Sequence, residues 1–521
     1  MFTTLTSCVA SLALVAWISW RLTRGRIHSN ESFFLAGRSL TAPVIAGSLL
    51  LTNISTEQLV GLAGSAYAFN MSSMAWEVTA GLACIVMALF LLPRYLRGGF
   101  STLPQFLESR FDARVRRASA VLFVLGYMLI TLPSVLYSGS VAVLALTDLS
   151  AVTGLDHATA LLVTMLAVAL IGGAFAVTGG LRAIAISDTL FGVGLLVMGM
   201  LVPLLGLRLL GDGSVLSGVE ILTSNHTQKL NAIGSATDPT PFATVFTGML
   251  LANLFYWGTN QYVIQRALGA KSLEEGQKGV LISGFFKVLV PFMVMVPGVI
   301  AFHLYGPNLP TMDAAYPTLA RAVLPVALQG VFLAVVIGVV VSSFNSLVNS
   351  AATLIAVDLS GPSQGTEKVR TARWQSVVIV AIAFAIAMQL TTAPDGLWQL
   401  IRKFTGFYNI PVIILVLAAI FIPRVNPLAA LVVMGVHVVV YGLVTFVFDT
   451  GIHFIHWYAI LFLLELLILV AMPRVASFRA ESVEPAPVDL RPWRHRYIVS
   501  GVLVLTILMT YALFSRLGIA S

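Results

Sequence analysis

The chain is 521 residues long, with 58% of them hydrophobic and 10% charged. At a mean hydropathy of +0.93 there is too little polar surface to cover a soluble particle of this size, which excludes a soluble multidomain protein and predicts a polytopic membrane protein. The formal charge of +8 does not point to nucleic acid, because the arginines sit in short loops between apolar runs, where they act as topology signals.

The first apolar run, about Leu5 to Trp20, has no basic residue before it and Arg21, Arg24 and Arg26 just after it. A secretory signal peptide has the opposite polarity, so this run is expected to be a retained first span with its N-terminus outside. Further apolar runs follow near 42–67, 71–94, 118–147, 157–178, 184–208, 241–263, 279–304, 325–357, 374–392, 395–422, 426–447, 452–472 and 497–515. A run of about 20 such residues crosses a bilayer, so an all-α membrane protein of about fourteen spans is predicted, with lipid as its surroundings. Gly179-Gly180 reads as a tight turn between two spans, and Cys8 and Cys84 as packing residues without metal-ligand spacing.

Assigning the loops after odd-numbered spans to the cytoplasm places most of the 30 lysines and arginines there, among them Arg94 to Arg117, Arg266 to Lys278, Lys368 to Arg373 and Arg474 to Arg496. One missed helix would invert that pattern, so both termini are expected outside, in a bacterial inner membrane. The stretch 209–240 is expected as an external loop between two five-span blocks, 42–208 and 241–422. Residues 1–41 then supply the first span and a cytoplasmic loop, and 423–521 three additional spans. Because five is odd, the second block enters the membrane in the opposite orientation, the signature of an inverted-topology repeat.

Polar backbone at membrane depth is tolerated only where it lines a protein cavity. The polar stretch Thr52-Asn-Ile-Ser-Thr-Glu-Gln58 therefore reads as a break in a spanning helix, and Asn253-Leu-Phe-Tyr-Trp-Gly-Thr-Asn260 as its counterpart in the second block. Glu77 facing lipid would cost several kcal/mol, so it faces either an interhelical partner or a solute hydroxyl. Lys287 reaches a cavity or snorkels to the interface. Gln58 and Asn253 bond either a solute or a neighbouring helix. Sodium needs hard oxygen ligands, and unwound carbonyls near Thr52 to Ser55 together with the adjacent hydroxyls of Ser342 and Ser343 would supply five. Asp188 adds negative charge near such a site or caps a helix start at Ser187-Asp-Thr189. No Walker loop, GxSxG or HExxH is present, so an enzyme is not expected.

These residues in their context resemble the sodium:solute symporter family, specifically its sodium/sugar cotransporter branch. The resemblance runs from Phe33-Phe-Leu-Ala-Gly-Arg-Ser39 to about Pro423, and rests on Asn53-Ile-Ser-Thr-Glu-Gln58, Ala252-Asn-Leu-Phe-Tyr-Trp-Gly-Thr-Asn-Gln261 with Gln265-Arg266, Ala270-Lys-Ser272 to Gln277-Lys-Gly279, and Ala315-Tyr-Pro317. It implies a LeuT-like five-plus-five core that carries a sugar with sodium. By motif position it places sugar contacts on Asn53, Gln58, Glu77, Asn253 and Lys287, with Tyr256 stacking over the sugar as an inner gate beside Trp257. It places sodium on the carbonyls of Leu51, Ile54 and Val339 and the hydroxyls of Ser342 and Ser343, with Asp188 nearby. Two departures bear on the solute. Arg402 stands where sugar transporters usually carry a glutamine, and Ala80 where a serine often follows the glutamate. Arginine favours an anion, so a sugar acid or sialic acid is the rival solute, unless Arg402 pairs with an acid or reaches the cytoplasmic face. A transporter-like sensor is a further rival.

Overall fold

A computed structural model describes residues 2–23, 35–147, 153–360, 367–392, 397–473 and 488–521. Arg24, Arg26, Phe33 and Arg474 lie outside the described residues. The described chain is helical, with only two isolated backbone bridges, Leu40 to Ala270 and Ser272 to Asp489. Its main helices are α1 (Phe2–Thr23), α2 (Ala42–Asn53), α3 (Thr56–Ala68), α4 (Met71–Arg97), α5 (Ala113–Thr147), α6 (His157–Leu210), α7 (Gly248–Gly258), α8 (Gln261–Leu268), α9 (Leu273–Tyr305), α10 (Val326–Leu359), α11 (Arg370–Leu390), α12 (Leu397–Phe421), α13 (Pro427–Val447), α14 (Phe454–Ala471) and α15 (Arg496–Leu513).

Among the described residues, 11 helices are long and apolar enough to cross a membrane unaided. The other expected spans are the broken pairs α2–α3 and α7–α8 and the apolar stretch His157–Gly173 of α6. The run α6 is helical in its backbone over 54 residues, including Gly179 and Gly180 where a tight turn was expected. It is not one straight rod. A Cβ on Gly172 would meet Phe344, while Asp188 bonds Ser342 on the same stretch of α10. A straight helix would hold residues 172 and 188 about 24 Å apart, so α6 bends between them.

Both interruptions have local causes. At the end of α2, Ile54 leaves the helix at φ −79°, ψ 89° and Ser55 is extended at φ −83°, ψ 167° before α3 begins. Asn, Ser and Thr in succession offer side-chain bonds that compete with helical ones. In the second break, Thr259 and Asn260 leave the helix between Gly258 and Gln261.

The loops sort to two faces. On one, the Arg38 guanidinium donates to Leu268 O at 3.3 Å and Gly99 O at 2.8 Å, and Arg182 donates to Ser39 Oγ at 3.2 Å. On the other, Asn231 Nδ2 donates to the Ser521 carbonyl at 3.1 Å, so the 209–240 segment meets the C-terminus. That segment, expected as loop, carries the helix Val215–Ser224. Cys8 and Cys84 are buried and free.

Glycines set how closely the inner helices approach. A Cβ on Gly47 of α2 would lie 2.9 Å from the Cα of Thr189 in α6. Small residues at such crossings let backbones touch, and here the contact brings Ser48 to Asp188, at 2.7 Å.

Candidate functional site

The breaks of α2–α3 and α7–α8 open onto one cavity with about 790 Å³ of empty space, counting the part open to solvent. Its wall holds Asn53, Gln58, Glu77, Asn253, Tyr256, Trp257, Lys287 and Arg402, all eight residues expected to face the solute. They come from six helical segments, so the convergence is a property of the fold rather than of any one motif.

Lys287 of α9 is 1% exposed and does not snorkel. Its ammonium donates to the Asn53 Oδ1 and forms an ion pair with Glu77. Burial of either charge alone costs several kcal/mol, which explains why lysine and glutamate face each other here. Asn253 donates from Nδ2 to Thr79 Oγ1 at 2.8 Å, so it binds a neighbouring helix and still lines the cavity. Tyr262 donates its hydroxyl to that of Tyr256 at 2.8 Å, and the Tyr256 ring stands 5.8 Å from that of Trp257. Thr52 Oγ1, Gln58 Oε1 and Trp76 Nε1 are buried in this wall without a hydrogen-bond partner among the described residues. Such groups cost about 1–3 kcal/mol each when left unpaired, so they ask for a ligand rich in donors and acceptors.

Arg402 enters the same space. Its guanidinium lies 5.0 Å from the centre of the Trp76 ring, and Glu57 lines the same cavity. It thus shares the cavity with an acid. The helix that carries it is held from outside the cavity. Tyr458 donates to Arg402 O and Tyr441 to Lys403 O, both at 2.7 Å, and His437 Nε2 lies 2.9 Å from Gly406 O. His437 is fixed in turn by Glu465 at 2.5 Å, with both side chains fully buried.

Beside the cavity lies an oxygen-rich cluster. Asp188 accepts from Ser48 Oγ at 2.7 Å and from Ser342 Oγ at 2.5 Å, and pairs with Arg266 at 3.6 Å. It lies well inside α6, not at a helix start, so the capping alternative is overturned. Ser343 lines the cavity, and its hydroxyl has no partner among the described residues. The break exposes backbone acceptors next to it. Ser55 N–H bonds Asn53 O where a continuous helix would use Leu51 O, and Gln58 N–H bonds Ser55 O where it would use Ile54 O. Those are the two carbonyls expected to face sodium. Val339, the third, is buried within the unbroken α10.

A further expectation is corrected. Arg266 was counted with the cytoplasmic loop, yet it is completely buried, bonding Tyr262 O and Ser346 Oγ and paired with Asp188. The second half of the broken helix turns it inward, and Asp188 offsets its charge. Glu57 also escaped notice, although the argument made for Glu77 applies to it equally, as a carboxylate in an apolar run.

Helices apolar enough to span a membrane, with two interrupted helices meeting at a polar cavity, are the architecture of a secondary transporter. The sequence matches the sodium:solute symporter family over residues 33–438. It is 39% identical over 516 residues to the uncharacterized symporter YidK of Escherichia coli (strain K12), covering 97% of this chain and 90% of that one. It is 32% identical to the sodium/glucose cotransporter of Vibrio parahaemolyticus, covering 78% of this chain and 77% of that one. The fold superposes on a sodium-coupled sialic acid symporter in its substrate-bound outward-open state with a TM-score of 0.77 at 19% identity, over 90% of this chain and 97% of that one. The chain belongs to the sodium:solute symporter family. It is a multi-pass membrane transporter of LeuT-like fold, not an enzyme, and sodium is its coupling ion.

Proposed function

We infer that this symporter imports a neutral monosaccharide or a closely related polyhydroxylated solute with sodium, by alternating access. The carrying observation is the cavity wall, where a buried Lys287–Glu77–Asn53 network stands beside amide, hydroxyl and indole groups that lack hydrogen-bond partners among the described residues. A polyol presents donors and acceptors in alternation and satisfies such a wall; an apolar solute does not. Asn53, Gln58, Glu77, Asn253 and Lys287 are assigned to its hydroxyls, and Tyr256 and Trp257 to its apolar face. The carbonyls of Leu51, Ile54 and Val339 and the hydroxyls of Ser342 and Ser343 are assigned to sodium, with Asp188 holding Ser342 in place. An ion there would brace the broken α2–α3 helix against α10, lowering the free energy of the solute-competent state.

The proposed frame is an inverted repeat, 42–208 and 241–422, with 1–41 before it, the 209–240 loop between its halves and 423–521 after it. The proposed setting is a bacterial inner membrane with both termini outside. An anionic solute is the weaker reading, because the charge of Arg402 already faces Glu57.

Uptake into proteoliposomes tests this reading. Hexoses, hexitols and inositols are expected to accumulate under an inward sodium gradient, and hexuronates and sialic acid are not. Equal accumulation of solute without sodium at matched pH would overturn the coupling. Ser343→Ala is expected to raise the sodium concentration for half-maximal uptake by about ten-fold, the equivalent of about 1.4 kcal/mol.

A further inference from the structure

Four acidic or basic side chains line the cavity, namely Glu57, Glu77, Lys287 and Arg402. They divide into two pairs. Glu77 is bound to Lys287, while Glu57 and Arg402 share the rest of the cavity wall. The neighbouring Asp188–Arg266 pair is likewise matched, so the solute space is electrically balanced.

The two pairs differ in how tightly they are closed. Glu57 stands in the first turn of α3, where the partial positive charge of a helix N-terminus favours a carboxylate. Its Oε2 is buried yet bonds to none of the described residues. The tyrosines on either side, Tyr256 and Tyr408, feel both its charge and that of Arg402. Glu57 and Arg402 thus face a shared space, and an ionised solute placed there would unbalance it. A buried charge left unmatched costs several kcal/mol. A guanidinium freed of its acid, by contrast, is a bidentate receptor for a carboxylate.

We propose that Glu57 sets the charge selectivity of this transporter: its carboxylate offsets Arg402, so that neutral polyols enter and sugar acids are refused. The selectivity resides in the pair. With Glu57 neutralised, the cavity gains one positive charge and becomes a sugar-acid site. With Arg402 neutralised, it gains one negative charge and becomes a site for amino sugars. This rests on the neutral-solute reading above, and names the residue that enforces it.

The test compares one hexose in three charge states, galactose, galacturonate and galactosamine, in sodium-driven uptake by proteoliposomes. The wild type is expected to prefer galactose. Glu57→Gln is expected to move the galacturonate-to-galactose ratio upward by about ten-fold or more, and Glu57→Asp to restore the wild-type order. Arg402→Gln is the reciprocal variant and is expected to raise the galactosamine ratio instead. The double variant, balanced again, is expected to return toward galactose. If both single variants lower all three uptakes by the same factor, with ratios unchanged, Glu57 is a structural residue and the proposal falls while the neutral-solute reading stands. If the wild type itself carries galacturonate and rejects galactose, it is the neutral-solute reading that falls.

Discussion

Lys287 and Glu77 illustrate at the residue scale how a buried pair should be tested. Each is at most 2% exposed in its side chain, so removing one partner leaves a buried charge without its counterpart. Glu77→Gln is expected to destabilise the protein by about 3–5 kcal/mol, and the double variant with Lys287→Met to recover part of that loss. Melting of the detergent-purified protein reads this out; additive losses in the double variant would mean that the two residues do not act as a pair. Such residues were legible in sequence because ionisable groups in apolar runs are few and each needs a reason. Their partners were not, since nothing in the spacing of 77 and 287 says that α4 and α9 meet. Glu57 shows the same limit differently: it was quoted within a motif, but its task depends on Arg402, which is remote in the chain.

At the scale of the element, the broken helices were the most legible feature. Thr52 to Ser55 and Asn253 to Asn260 both contain the point where the chain leaves its helix. Polar residues with competing backbone bonds announce themselves among aliphatic ones. The crossing of α2 and α6 was hidden, because a glycine in sequence does not reveal what it touches. Gly47→Ala would place a methyl group 2.9 Å from backbone that cannot rotate away. It is expected to cost about 1–3 kcal/mol and to weaken sodium dependence through the Ser48–Asp188 contact. Gly435→Ala is the control, because among the described residues no atom outside its own helical turn lies within 4 Å of the added carbon. Sodium titration of uptake with both variants checks this, and an equal response from the two would refute it.

On the scale of the whole molecule, alternation of basic loops made the crossing count readable, since one error would have inverted everything after it. The packing of the 209–240 loop was not readable, and neither was a pH dependence seated at the start of α14. His453 lies just before α14, where burial first, and then the positive charges of His456 and Lys403, push its pKa down to about 4. An unfolded histidine titrates near 6.5. Between about pH 6.5 and 4 the unfolded chain binds a proton that the folded chain refuses, so stability falls as pH falls through that window, by about 3 kcal/mol at most. The apparent melting temperature should follow that fall, and His453→Asn should flatten it; an unchanged slope would show that another group is responsible.

The hold on α12 has a wider consequence. Residues 402, 403 and 406 share one side of a helix, and Tyr458, Tyr441 and His437 grip their carbonyls from α13 and α14. Three grips on one side fix the azimuth of a helix about its own axis, much as pegs fix a dial. Spans with no solute contact thereby set the compass bearing of Arg402, and a change of solute preference among relatives can originate in helices that no inspection of the cavity would include.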